Sequence, residues 1–155
     1  MKKLPYKEGD VFAVPLLDKR FALGVVARSP RLGKVLLGYF FRYGKTQLPR
    51  VGAIPDLKSQ DAVLAVIFGD LGLYRGDWPI VGRVQNWRRD SWPMPSFIRR
   101  EPLTGAAWKV TYSEDDPSQE VEIVRLHNTG SALNLERDSL RGTESLRATL
   151  TKLLA

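Results

Sequence analysis

Three apolar, β-forming segments follow one another within residues 10–41, each closed by turn residues, and this succession constrains the fold more than any other feature. In Val11-Phe12-Ala13-Val14-Pro15-Leu16, the side chains of Phe12, Val14 and Leu16 fall on one face. Asp18-Lys19 reads as a two-residue turn, and Phe21, Leu23, Val25 and Ala27 alternate on the return. Gly24 lies in the opposite phase and marks a bulge or tight bend. Ser29-Pro30-Arg31-Leu32-Gly33 is a second turn cluster, and Val35 to Phe41 form the third strand. Pro15 lacks an amide hydrogen, so the first strand must be an edge or break there.

Residues 42–60 read as a long connection containing Pro49, Gly52 and Pro55. Residues 62–68 are continuous apolar sequence, suited to a strand buried on both faces, though a short buried helix has the same pattern. Trp78 to Val84 is a further short strand. Residues 85–105 are irregular, with Pro93 and Pro95 favouring an extended path. Ala107–Tyr112 and Val121–Leu126 read as a hairpin around the hydrophilic turn 113–118. The period then changes: Leu146, Leu150, Leu153 and Leu154 share one helical face, with Thr143 as the expected N-cap and the helix spanning about 143–154. The expected fold is one mainly β (or α+β) domain over residues 1–155. It would be a small twisted sheet or SH3-like barrel of six or seven strands with a C-terminal helix.

Chemistry-bearing residues are few. The chain has no cysteine, which rules out disulfides and thiolate metal sites and suits a reducing cytoplasm. His127 is the single histidine, so a zinc site lacks its usual ligands. Glu114-Asp115-Asp116 is the densest carboxylate cluster and reads as a solvated turn. Asp70, Asp77 and Asp90 could pair only if the fold joins them, and no phosphate-binding glycine loop is present. No catalytic residue, metal ligand or cofactor is assigned. No apolar run approaches membrane-spanning length, and the N-terminus lacks the apolar core of a secretory signal.

Charge is uneven. The net charge is +7, but residues 1–100 carry 18 Lys/Arg against 8 Asp/Glu, and residues 101–155 carry 6 against 9. Aromatic and basic residues interleave in the middle of the chain. Tyr74, Arg75, Trp87, Arg88, Arg89, Trp92, Arg99 and Arg100 are the candidate partner-binding residues, because arginine and aromatic side chains anchor interfaces. Trp87 and Trp92, in a proline-bordered loop, are expected to be more exposed than Trp78 or Trp108. The same mixture could stack bases and neutralise phosphates on a single nucleic-acid strand.

The blocks Gly9-Asp10-Val11-Phe12-Ala13-Val14-Pro15-Leu16 and Phe21-Ala22-Leu23-Gly24-Val25-Val26-Ala27-Arg28 resemble the immunity protein 26 family. Trp78-Pro79-Ile80-Val81-Gly82 is similar to that family's central element, so the resemblance spans roughly residues 5–112. Lys19 stands where such proteins often have glycine. The resemblance implies a cytoplasmic bacterial antitoxin that binds and blocks a cognate polymorphic toxin. The same grouping is also associated with a phosphotriesterase, which makes hydrolysis of organophosphates the second reading. A basic β-barrel binding nucleic acid is the third.

Overall fold

The computed structural model describes residues 3–50, 52–127 and 134–155. The three N-terminal segments form β1 (Asp10–Pro15), β2 (Phe21–Arg28) and β3 (Val35–Arg42) as an antiparallel meander. The apolar run supplies β4 (Leu64–Gly69), after which α1 (Leu71–Arg75) and β5 (Ile80–Arg83) follow. Then come β6 (Phe97–Arg100), β7 (Ala107–Tyr112), β8 (Glu120–Leu126), β9 (Glu136–Arg137), β10 (Leu140–Arg141) and α2 (Thr143–Leu153). They build a six-stranded sheet in the order β10-β4-β3-β2-β1-β5 and a four-stranded sheet in the order β8-β7-β6-β9.

The fold is thus mainly β, as expected, but it is a pair of open sheets with ten described strands rather than a closed barrel of six or seven. The extra strands are short. β9 and β10 hold two residues each, and each pairs in parallel with a strand far away in sequence, β6 and β4 respectively. The chain steps from one sheet to the other within residues 136–141, which stitches the two layers together. Pairings so brief and so non-local leave no periodic trace in a sequence.

The six-stranded sheet is the middle layer, and strand alternation sorts its side chains. Phe12, Val14, Leu36, Phe40, Leu64, Val66 and Phe68 face α2, where they pack with Leu146, Leu150, Leu154 and Trp78. Val11, Ala13, Leu23, Val25, Leu37, Tyr39, Phe41 and Ile67 face the four-stranded sheet, with Trp92, Met94 and Phe97. Two covered faces explain why β1 to β4 read as apolar on every residue. A barrel needs only an inner apolar face; here the second face is consumed by the other sheet, so the edges never meet.

Local details differ from the sequence reading. Gly24 is not at a bulge. A Cβ built there would lie 2.3 Å from Phe12 Cζ, so the glycine makes room for that ring. The β2 bulge falls at Val26/Arg28 instead. β1 is an inner strand of the sheet, but at Pro15 it has β2 on one side only, so the proline sits at a local edge, as its missing amide hydrogen requires. Pro15 ends β1 beyond Phe12, where pairing with β5 stops, so no bond is lost. The β1–β2 connection is a three-residue loop, Leu17-Asp18-Lys19, closed by Leu16 N–H donating to the Arg20 carbonyl at 2.8 Å. Lys19 occupies its left-handed position with φ 71°.

The C-terminal helix forms as expected, but Gly142 rather than Thr143 is its N-cap. Leu153 is exposed, because the buried stripe runs along Leu146, Leu150 and Leu154 and leaves Leu153 at its rim. Its C-terminal carbonyl, on Leu154, accepts from Arg20 Nη1 at 2.9 Å and Arg42 Nη1 at 3.1 Å. Two guanidinium groups thereby meet the negative end of the helix dipole. Within the long 42–60 connection, Ile54 and Leu57 fold back onto the second core.

Candidate functional site

The aromatic and arginine residues singled out in the sequence do not form one surface. Trp92 is buried between the sheets, edge-on to Tyr39 and Phe41 at ring-centroid distances of 5.2 and 5.9 Å. The expectation that it is exposed is therefore corrected. The prolines beside it make the chain extended, but they also aim it inward, and the Pro93 carbonyl accepts the Tyr39 hydroxyl at 2.5 Å. Trp87 is half-buried, 5.7 Å from Trp92, and lies on Gly9, whose missing side chain leaves room for the indole. Trp78 is buried with Phe12 and Phe68, while Trp108 is half-buried beneath the Arg125 guanidinium.

The arginines divide in the same way. Arg89 donates from Nε to Glu8 Oε1 at 2.8 Å and from Nη2 to the Glu114 carbonyl at 2.6 Å, and it bridges Asp115 at 3.0 Å. Those partners hold its guanidinium more firmly protonated than usual, against the opposing effect of burial. Arg99 pairs with Glu120 and with Asp138, which raises its pKa far above the ordinary arginine value. Asp138 also accepts the Tyr112 hydroxyl; burial, and then that bond, push the phenol up to about 12. Arg88 and Arg100 are exposed, and the 3.6 Å pair of Arg88 with Asp90 lies in solvent, where it contributes little. Tyr74 and Arg75 are exposed on α1, whose Leu73 belongs to the core on the α2 side of the large sheet. They stand on the opposite side of that sheet from Trp87 and Trp92.

The acidic turn, read from sequence as solvated, is docked on the large sheet. Arg28 is buried, and its Nε donates to Glu114 Oε2 at 2.5 Å. Its two other nitrogens donate to the Ala27 and Arg89 carbonyls. Glu114 Oε1 accepts from the Met94 amide at 3.2 Å. Strict alternation along β2 would send Arg28 toward α2. The bulge at Val26/Arg28 turns it back toward the small sheet, where Glu114 waits. Asp116 accepts two bonds from Ser118, which hold its carboxyl below the usual range.

The other chemistry-bearing residues are dispersed. Asp70 accepts the Tyr6 hydroxyl at 2.6 Å and the Lys34 amide at 3.0 Å, and burial with that carboxylate lifts the Tyr6 phenol well above its ordinary value. Asp10 holds the Lys7 amide and Arg83. Asp77 and Asp90 are exposed on separate segments. His127 is exposed at the end of β8; the Asn128-Thr129-Gly130 that follows lies outside the described residues. Among the described residues, no three His, Cys, Asp or Glu side chains are grouped to hold a metal ion. A partly enclosed hollow of about 150 Å³ lies between Ile54, Leu57 and β5, beside Arg83.

One surface was missed in the sequence. β8 is found where the hairpin was expected, yet every residue from Glu120 to Arg125 is exposed, including Val121, Ile123 and Val124. The signal was the absence of a single apolar face: Val121 and Ile123 point to one side of the strand and Val124 and Leu126 to the other.

A family model described as immunity protein 26 matches residues 7–109, which takes in β1 to β6 and the start of β7. No curated protein and no solved structure matches the chain.

Proposed function

The chain belongs to the immunity protein 26 family, and from that premise we infer that it binds and neutralises the cognate toxin of a polymorphic toxin system in the bacterial cytoplasm. The single observation that carries this reading is the family match over residues 7–109, which spans most of the large sheet and the buried segment that docks it on the small one. The architecture suits recognition. Two cores fix the middle sheet on both faces, so the outer surfaces are held rigidly and little ordering entropy opposes binding. Inhibition then needs only that the bound protein cover or distort the toxin's working surface.

Co-production with candidate toxin domains from the same genome tests the reading. One of them should co-purify with the protein as a defined complex, and growth arrest by that toxin should be relieved. Candidates that all stay free and active in the presence of excess purified protein would refute it.

A further inference from the structure

β8 is the outermost strand of the small sheet. One side of its backbone is bonded to β7, and among the described residues no strand pairs with the other side. Folded sheets usually blunt such an edge with lysine, proline, a very short strand or a covering loop. β8 has seven residues and neither Lys nor Pro; its charges are Glu120, held by Arg99, Arg125, lying over Trp108, and Glu122. Val121, Ile123 and Val124 are 59%, 50% and 41% exposed. Ile123 shares a face with its partner Val110 in β7, and Val124 projects to the other face. An open hydrogen-bonding edge with apolar surface on both faces is complementary to another β-strand laid alongside it. Such a strand satisfies the backbone groups and covers both rows at once.

Charge then selects the strand. Residues 113–122 hold five carboxylates and no Lys or Arg; Glu114, Asp115 and Glu120 are paired with Arg28, Arg89 and Arg99, and the one cation of β8, Arg125, lies over the Trp108 ring. Glu122, in the middle of β8, has no ion-pair partner among the described residues. A second copy of this chain is a poor occupant. Symmetric antiparallel pairing about Ile123 places Glu122 diagonal to its own copy on the same face, where like charges repel. A strand alternating Lys or Arg with apolar residues meets both requirements. The family match ends at residue 109, so β8 lies outside the matched residues.

We propose that the free edge of β8 is the toxin-docking surface, pairing with a basic, apolar-alternating edge strand of the toxin. This rests on the immunity reading above. The test uses the full chain, the toxin domain retained in the co-production experiment above, and two seven-residue amidated peptides that alternate Val with Lys or Val with Glu. The Lys peptide should slow amide hydrogen exchange across Val121–Leu126, and the Glu peptide should not. Glu122→Lys should reverse that preference and weaken toxin binding at least tenfold with an unchanged melting temperature. Val124→Thr, which keeps the charge, should weaken both the toxin and the Lys peptide by a smaller factor. Toxin bound equally by Glu122→Lys overturns the docking surface and leaves the immunity reading standing. No toxin domain retained by a chain that still captures the Lys peptide at β8 overturns the immunity reading and with it the toxin as occupant, and leaves the edge as a strand-binding site. Failure of both probes overturns both.

Discussion

Replacing Glu114 with glutamine should destabilise the protein by about 3 kcal/mol, whereas Asp115→Asn, one residue away, should cost less than about 0.5 kcal/mol. The contrast comes from the partners. The Arg28 side chain is 3% exposed, and Glu114 is its only carboxylate partner among the described residues; the glutamate itself is 49% exposed. Removing one member of a fully buried ion pair costs about 3–5 kcal/mol, because the other is left charged and dry. Here one member is half in water, so the low end of that range applies. Glutamine can still accept one bond, from Arg28 or from the Met94 amide, but it cannot neutralise the guanidinium. Asp115 bridges Arg89 from a side chain 87% exposed, and Arg89 keeps Glu8 when it is lost. Urea unfolding at neutral pH measures both variants. In a domain of this size, 3 kcal/mol corresponds to a melting-temperature drop of about 6–12 °C. Equal costs for the two substitutions, or a Glu114→Gln cost under about 1 kcal/mol, would show that the turn is a solvated loop and not the bolt between the sheets.

Trp92→Ala should cost about 3–5 kcal/mol in the same assay, as expected for emptying a core site rather than a surface anchor; a stable variant would contradict its burial. Gly24→Ala forces a methyl group into Phe12, which Phe40, Phe68 and Trp78 hold in place, and should cost about 3 kcal/mol; Phe12→Leu in the same chain should recover part of that loss, and strictly additive costs would count against the contact. Lys19→Gly relieves a left-handed residue and should raise stability by about 1 kcal/mol, read as a higher melting temperature. The folded-state pKa of Tyr112 lies above its unfolded value of about 10, so its contribution is fully present below pH 10 and fades as pH rises toward about 12; ultraviolet titration should show one fewer late-titrating phenol in Tyr112→Phe, with the raised Tyr6 and Tyr39 phenols remaining.

Near-neighbour order was determined by the sequence alone. The β1–β2–β3 meander and the terminal helix leave local periods of two and 3.6, and the β7–β8 hairpin is marked by its hydrophilic turn; β4 leaves only an unbroken apolar run, which kept a strand and a short buried helix both open until the structure made it a strand. The family was also legible locally, from blocks within β1, β2 and β5. The candidate site was not. Whether Trp92 faces solvent or core, and whether Glu114 is solvated or clasped by Arg28, depends on which distant segment arrives opposite. The strand switch at residues 136–141, a pairing between residues far apart in the chain, and the bulge beside Arg28, an irregularity of the β2–β3 register with no sequence mark, settle that arrival. Burial belongs to pairs of surfaces, so composition can nominate an aromatic or a charge, but only the packed sheets decide which of them remain outside.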